Sequence, residues 1–138
     1  MQLSAAAQAF LLEPNIAVLA TVDDRGRPHA TPVWYLYEDG AFVISTTRAS
    51  RKYRNIATNP EVTIVLDRRT IPYLAVIVRG SATAGPALSD AELLRMAVHY
   101  YGETLGRAYA ARGRAENEVT IRVGPRQIIE YHGETGRT

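Results

Sequence analysis

The 138-residue chain contains no cysteine. This absence excludes a disulfide framework, thiolate zinc sites, iron–sulfur ligation and a cysteine nucleophile, and it fits a reducing compartment. Long apolar runs are also missing: the longest aliphatic runs, Ile16–Ala20 and Leu74–Val78, have five residues each, whereas a membrane-spanning helix needs about 20. The first basic residue is Arg25, so the N-terminal segment lacks the basic start of a signal peptide. We expect a soluble cytoplasmic protein.

Lysine is nearly absent too. Of the 16 basic residues only Lys52 is a lysine, and the formal net charge is +2, which is too small to indicate a nucleic-acid partner. The three histidines, His29, His99 and His132, are not at metal-ligand spacing. Phosphate-loop, dinucleotide-binding and serine-triad patterns do not occur in the sequence. We therefore predict no metal site, and we expect any chemistry to belong to a bound cofactor.

Length and composition predict one mainly β domain over residues 1–138. Alternating or continuous apolar patterns predict six strands: Ile16–Val22, His29–Tyr37, Ala41–Thr46, Val62–Asp67, Tyr73–Ala84 and Asn117–Tyr131. Gly80 suggests a bulge and Gly124-Pro125 a bend. Predicted helices are Ser4–Glu13, about two turns after Ser50, Leu88–Gly106 from a Ser89 cap, and Tyr109–Arg114. Hairpin-linked strands in this number favour a closed or partly closed barrel, because closure removes unpaired edges.

The segment around Ser50 breaks a local rule. Helix N-termini favour acidic residues because the macrodipole places partial positive charge there. Here the predicted cap Ser50 is followed by Arg51 and Lys52, with Arg48 before it and Arg54 one turn later. Free N–H groups, the dipole and several cations then converge on one spot, which a phosphate would stabilise.

Two other interpretations of this basic segment stay open. The cations are balanced by Glu61, Asp67 or a partner chain, or they form a nucleic-acid patch. Apart from Tyr53, aromatic residues are not interleaved with the basic residues, as a base-stacking platform would require.

The strand that contains Trp34 has two interpretations as well. Trp34, Tyr35 and Tyr37 pack into the barrel core or a dimer interface, or they flank a flat ring. Pro32 lacks an N–H and cannot pair normally, which predicts an edge strand or a bulge there. Backbone groups at such an edge would be free to contact a heterocycle.

Four motifs carry a resemblance to a known family. Ala20–Pro28, Thr31–Trp34, Ser50–Asn55 and Asn59-Pro60 together resemble the pyridoxamine 5'-phosphate oxidase-like proteins, whose fold is the FMN-binding split β-barrel. The resemblance runs from Leu12 to Tyr131. Within the family, Pro-Val-Trp and Lys-x-x-Asn are similar to the branch that depends on the deazaflavin coenzyme F420. The resemblance implies a six-stranded, Greek-key-like split barrel.

The resemblance also implies a homodimer that holds its cofactor in a groove at the subunit interface, with a small-molecule substrate over the exposed ring face. The implied ring contacts come from the backbone of Thr31, Pro32, Val33 and Trp34. The implied phosphate contacts come from Arg51, Lys52 and Asn55, with Ser45 and Thr46 beside them. Segments 68–73 and 100–114 are expected to line the substrate site. Tyr35, Tyr37, Tyr73 and His29 are candidate proton donors, and no catalytic residue is singled out.

Departures from the family pattern separate its branches. True pyridoxamine phosphate oxidases have a flavin-phosphate arginine where this chain has Thr31 and a glutamine where it has Ala75. Their Arg-Leu-His substrate motif would fall at Arg137, which Thr138 follows. We therefore do not expect a vitamin B6 oxidase. The expected function is hydride transfer from F420 to an unsaturated or quinone-like small molecule. The alternatives are an FMN flavoprotein of the same fold and a non-catalytic cofactor- or tetrapyrrole-binding protein.

Overall fold

The computed structural model describes residues 3–133, which form seven strands and four helices around one sheet. The elements in chain order are α1 Ala5–Leu11, β1 Ala17–Val22, β2 Pro28–Val33, β3 Leu36–Glu38, β4 Ala41–Thr47, α2 Arg51–Thr58, β5 Glu61–Arg68, β6 Tyr73–Gly85, α3 Asp90–Tyr101, α4 Glu103–Ala111 and β7 Glu118–Gly133. The strand order in the sheet is β2-β1-β5-β6-β7-β4-β3, and every pair of neighbours is antiparallel. The predicted mainly β class is confirmed.

The sheet curls because its two edge strands are consecutive in the chain. β2 and β3 lie at opposite ends of the strand order, yet only Trp34 and Tyr35 separate them. The two edges must therefore approach each other, which makes the sheet a split barrel. The predicted single strand His29–Tyr37 is wrong in this respect: it divides into β2 and β3, which raises the strand count from six to seven.

The helical segment before the last strand also differs from the prediction. A single helix over Leu88–Gly106 was expected, but α3 ends at Tyr101 because Gly102 has a φ of 85°, a conformation that a helix cannot continue through. α4 then includes the first half of the predicted Tyr109–Arg114 helix and ends at Ala111. Gly106 lets the two helices touch, since a Cβ there would lie 2.5 Å from Val98 Cα.

The predicted bulge at Gly80 is confirmed. The β6–β7 register shifts between Arg79, which pairs with Gln127, and Gly80, which pairs with Pro125. A Cβ on Gly80 would lie 2.4 Å from the Gly124 carbonyl oxygen. Glycine is therefore required where the two long strands cross most closely.

The outer face of the sheet carries an apolar row. Direct cross-strand pairing aligns five apolar residues over five adjacent strands: Pro32, Val18, Val65, Ile77 and Ile129. All five keep some solvent exposure, and Val18 is 37% exposed. The interior face of the same strands is fully buried around Leu19 and Ile64. No helix within residues 3–133 has the length and apolar character needed to cross a membrane.

Candidate functional site

The first turn of α2 is built by its Ser50 cap. Ser50 is extended, with φ −66° and ψ 148°, and its Oγ accepts a hydrogen bond from the Tyr53 N–H at 3.2 Å. The Thr46 hydroxyl at the end of β4 donates to the same oxygen at 2.9 Å. This contact ties the helix start to the sheet edge. The first turn contains no acidic residue.

The cations of this turn have no carboxylate partner within residues 3–133, where Arg48, Arg51, Lys52 and Arg54 form no salt bridge. The two carboxylates considered as internal counterions pair elsewhere. Glu61 binds Arg126, and Asp67 binds Arg69 at 3.3 Å. Neither residue therefore balances the basic segment.

Lys52 lines a cavity of about 340 Å³ between the sheet edge and the α3–α4 pair. One part of its wall is polar and comes from the end of β4 and from α2: Ser45, Thr46, Thr47 and Lys52. The rest is mostly apolar or aromatic: Pro32, Val33, Trp34, Leu88, Leu93, Met96, Ala97 and Tyr109, with Gly113 and Glu118. The structure thus brings together six of the nine residues that the sequence placed in a binding site.

The other three predicted residues lie outside the cavity wall. Arg51 is exposed beside Lys52. Asn55 is 4% exposed, and its Nδ2 donates to Thr21 Oγ1 at 2.9 Å, which anchors α2 on β1. Thr31 Oγ1 is buried and has no hydrogen-bond partner among the described residues. A phosphate contact from Asn55 stays a prediction, and its amide nitrogen already has a structural partner.

Trp34 presents the aromatic wall of the cavity and is held by tyrosines of α3 and α4. Its ring stacks on Tyr100 with centroids 4.4 Å apart and planes 7° apart. Tyr101 meets its edge at 5.0 Å, and Tyr109 lies 6.5 Å away. The structure places Trp34 in this wall, and its contact with a cofactor ring stays a prediction. The sequence did not identify Leu93 or Met96, because nothing in a helical pattern marks which face meets a cavity.

Tyr100 also bridges the split in the barrel. Its hydroxyl donates to the Asn15 carbonyl at 2.7 Å and accepts the Tyr35 N–H at 3.0 Å. Tyr35 sits between the two edge strands, so this side chain supplies the partner that a sheet neighbour would otherwise give. The backing of Trp34 is therefore rigid at the point where it faces the cavity.

The candidate proton donors lie elsewhere: Tyr35, Tyr37, Tyr73 and His29 are not in the cavity wall. The Tyr35 hydroxyl donates to the Leu11 carbonyl at 2.8 Å, and burial raises its pKa.

Of the two segments expected to line the substrate site, segment 68–73 does not reach this wall, whereas segment 100–114 contributes Tyr109 and Gly113. Among residues 3–133, no group of three or more His, Cys, Asp or Glu side chains is placed to hold a metal ion. The arrangement suits a ligand that combines an anionic group with a flat apolar ring.

Comparison with known proteins identifies the family. The sequence profile described as pyridoxamine 5'-phosphate oxidase matches residues 3–137. The chain belongs to this family. A curated relative, the pyridoxine/pyridoxamine 5'-phosphate oxidase of Anaplasma phagocytophilum, is 46% identical over 71 residues, which are 51% of this chain and 34% of the relative. The chain thus spans about a third of the length of that oxidase.

Solved structures agree on the fold over nearly the whole chain. An F420 reductase is 28% identical with a TM-score of 0.72, covering 88% of this chain and 94% of the reductase. The haem storage protein of Vibrio cholerae is 19% identical with a TM-score of 0.72, covering 96% and 98% of the two chains. The split barrel of the family, predicted from the sequence, is therefore confirmed.

Proposed function

We propose that this cavity binds coenzyme F420 and that the protein is a cytoplasmic F420-dependent oxidoreductase whose acceptor is an unsaturated or quinone-like small molecule. One observation carries the proposal. Cations without carboxylate partners in the described chain converge at the start of α2, and Lys52 lines the same cavity as Trp34. A family member with this arrangement has a place for an anionic group and a place for a ring, side by side.

The start of α2 fits a phosphate. Ser50 Oγ accepts the Tyr53 N–H, and the Ser50 carbonyl accepts the Arg54 N–H at 3.2 Å. The N–H groups of Arg51 and Lys52 precede these two in the first turn, where a helix provides no internal acceptor. Two N–H groups, the helix dipole and the Lys52 ammonium would then hold the phosphate together.

The remaining wall fits a flat ring. Trp34 offers a rigid aromatic surface, and Leu93 and Met96 from α3 form an apolar surface beside it. When bound, the deazaflavin supplies the hydride, as cofactors do in such enzymes. The residues of this chain orient the ring and exclude water from it. Thr31 offers a buried hydroxyl without a partner in the described chain, next in sequence to Pro32 in the wall.

The apolar row on the outer sheet face supports a homodimer. Pro32 ends that row and also lines the cavity, so a second copy that covered the row would reach the cavity rim. Partly exposed apolar rows of this extent are typical of interaction surfaces.

Light scattering tests the homodimer. Val65→Glu should convert the dimer to a monomer, because it places a charge in the middle of the row. Ala111→Glu on exposed α4 is the control. A monomeric wild type would contradict this part of the proposal.

F420 is preferred over FMN, and a B6 oxidase is not proposed. Thr31 replaces the flavin-phosphate arginine that the resemblance gives to the oxidases, and Ala75 replaces their glutamine. The F420 reductase is 28% identical over 88% of this chain, whereas the identity with the curated oxidase is confined to 51% of this chain. Arg137, where the oxidase substrate motif would fall, lies outside the described residues. FMN remains the second candidate because the same oxidase is 46% identical in the matched segment.

Fluorescence of Trp34, the single tryptophan, tests the proposal directly. The purified protein is titrated separately with F420 and with FMN, before and after Lys52→Ala. We expect saturable quenching by F420, weaker binding of FMN, and a loss of F420 affinity of about 10- to 100-fold in Lys52→Ala, the range for a hydrogen bond to a charged group. Tighter quenching by FMN would favour the flavoprotein.

Turnover distinguishes an enzyme from a carrier. Reduced F420 is mixed with the protein and a simple quinone, and its oxidation is followed by absorbance. We expect oxidation that depends on the protein and is lost in Lys52→Ala at cofactor concentrations that saturate the wild type only. Tight F420 binding without any protein-dependent oxidation would favour the non-catalytic binding protein.

A further inference from the structure

A second cavity lies on the other side of α3. Its volume is about 510 Å³, within the 300–1,000 Å³ typical of small-molecule sites. The helical period separates the two cavities: Leu93, Met96 and Ala97 face the first, whereas Leu94 and Val98 face the second. No residue lines both cavities. The second cavity is therefore a separate site rather than an extension of the proposed cofactor site.

The second cavity has apolar walls from three parts of the fold. Leu12 follows α1, Leu36 belongs to the edge strand β3, and Leu94 and Val98 come from α3. Leu12 is 56% exposed, so a large part of its side chain is accessible to a ligand in this cavity. Burial of these side chains by a ligand would be favourable through the hydrophobic effect.

The charged residues of this cavity neutralise one another. Arg95 binds Glu38 through two hydrogen bonds, Nε to Oε2 at 2.9 Å and Nη2 to Oε1 at 3.0 Å. Arg107 Nε lies 2.5 Å from Glu103 Oε1. A charged ligand would find no uncompensated charge in these two pairs, whereas a neutral ligand needs none. This is the opposite of the first cavity, where Lys52 has no carboxylate partner within residues 3–133.

We propose that the second cavity binds a neutral, largely apolar small molecule. The leucine walls supply the affinity. Tyr37 and His99, which also line the cavity, supply a hydroxyl and an imidazole for one polar group on the ligand. The inference does not depend on the proposed function, because it uses residues that take no part in the cofactor site.

The test uses two fluorescent probes that differ by one charge. N-phenyl-1-naphthylamine is neutral, and 1-anilinonaphthalene-8-sulfonate has the same ring frame with an added sulfonate. Each probe is titrated into the full chain and into Leu12→Asp. Leu105→Asp is the matched control, since Leu105 is 66% exposed and lines neither cavity. Both leucines are exposed, so neither variant removes a buried core residue.

We expect saturable binding of the neutral probe, weaker binding of the sulfonate at the site that Leu12→Asp weakens, and a loss of neutral-probe affinity of about tenfold in Leu12→Asp, because the new carboxylate would lose water when an apolar ligand covers it. Leu105→Asp should leave the affinity unchanged. Leu94→Asp provides a second wall variant and should act in the same direction as Leu12→Asp.

Four results would overturn the proposal. The wild type shows no saturable neutral-probe binding; Leu12→Asp and Leu105→Asp behave alike; the sulfonate binds more tightly than the neutral probe at a site that Leu12→Asp weakens; or Leu12→Asp changes the oligomeric state while probe affinity stays the same, which would assign the cavity to a protein contact. Displacement of the probe by F420 would place it in the first cavity and would also refute a second site. If F420 fails to bind at all, the leucine variants still decide the question, so the two proposals fail separately.

Discussion

The N-termini of α2 and α3 have the same cap and opposite charges. Ser50 and Ser89 are both extended, and each accepts the N–H of the third helical residue. In α3 that third residue is Glu92, whose carboxylate accepts the Ser89 N–H at 2.9 Å to complete a capping box. In α2 the first two residues are Arg51 and Lys52, and no carboxylate is present in the turn.

The starts of these helices also differ in whether their charged and polar groups have partners within the chain. At α3, Asp90 pairs with Arg114 at 2.7 Å, and at α1, Glu130 accepts the Ser4 N–H at 3.0 Å. The cations at α2 have no such partner in the part of the chain that the structure describes. The starts of α1 and α3 are completed by the chain itself, whereas α2 lacks an anion. Functional sites are where a sequence is expected to break local rules, so the contrast supports the proposal that the start of α2 binds an anion.

The largest expected effect comes from giving α2 the charge of α3. Lys52→Glu should lower F420 affinity by about 100-fold or more, because it removes a charge-assisted hydrogen bond and adds repulsion at the phosphate. The measurement is the Trp34 fluorescence titration. Arg25→Glu, which changes the same charge on an exposed turn away from the cavity, should bind as the wild type does. An equal loss of F420 affinity in both variants would show that the protein's net charge, and not the position of Lys52, determines binding.

The next effect is structural and belongs to α3. Glu92→Ala should lower the free energy of unfolding by about 1 kcal/mol, the usual loss for a helix N-terminal cap. Urea denaturation measures it. Glu116→Ala, an exposed glutamate without a side-chain hydrogen bond among the described residues, should change stability little. If Glu92→Ala is as stable as Glu116→Ala, the capping box does not stabilise the protein. The acidic start of α3 would then not differ from α2 in its contribution to stability.

A smaller effect separates stability from binding within α2. Arg51→Glu should raise the free energy of unfolding of the ligand-free protein by about 0.5 kcal/mol, because an acidic residue suits the helix dipole. The same change should weaken F420 binding. Thermal denaturation without ligand and the fluorescence titration measure the two quantities. A variant that is both less stable and unchanged in binding would show that the basic turn serves the fold.

Much of the fold follows from local sequence. The Ser50 and Ser89 caps were predicted from single residues, and each depends on neighbours close in the chain. The Gly80 bulge was also predicted from one residue, although the Gly124 carbonyl that requires glycine there is distant in the chain. The division of His29–Tyr37 was not predictable in this way. Both halves continue one strand pattern, and the break at Trp34 arises because the two halves pair at opposite sheet edges, which is a long-range property.

The candidate site also combines features that are visible in local sequence with features that depend on long-range packing. Lys52 and Trp34 were predicted because a basic helix start and an aromatic edge strand are visible locally. Asn55 shares the Lys-x-x-Asn motif with Lys52, but its side chain contacts β1, where Thr21 Oγ1 accepts its hydrogen bond. The motif alone does not show which of its residues meet the cavity. The wall formed by α3 depends on how that helix crosses the sheet, so Met96 carried no signal in the sequence.

The smallest effect is the dependence of the α3 start on pH. The hydrogen bond from the Ser89 N–H is the main cause that lowers the pKa of Glu92 below its ordinary value of 4.5, and Arg122 adds to it. A lowered pKa in the folded state means that the carboxylate stabilises the fold above pH 4.5 and that this contribution disappears as the pH falls through the lowered value. The difference in unfolding free energy between wild type and Glu92→Gln should therefore be constant near neutral pH and shrink in acid. Urea denaturation at a series of pH values measures it. The difference between wild type and Arg51→Gln should not shrink over the same range, since a guanidinium keeps its proton throughout. A parallel loss in both would show that acid acts on the whole chain rather than on one helix start.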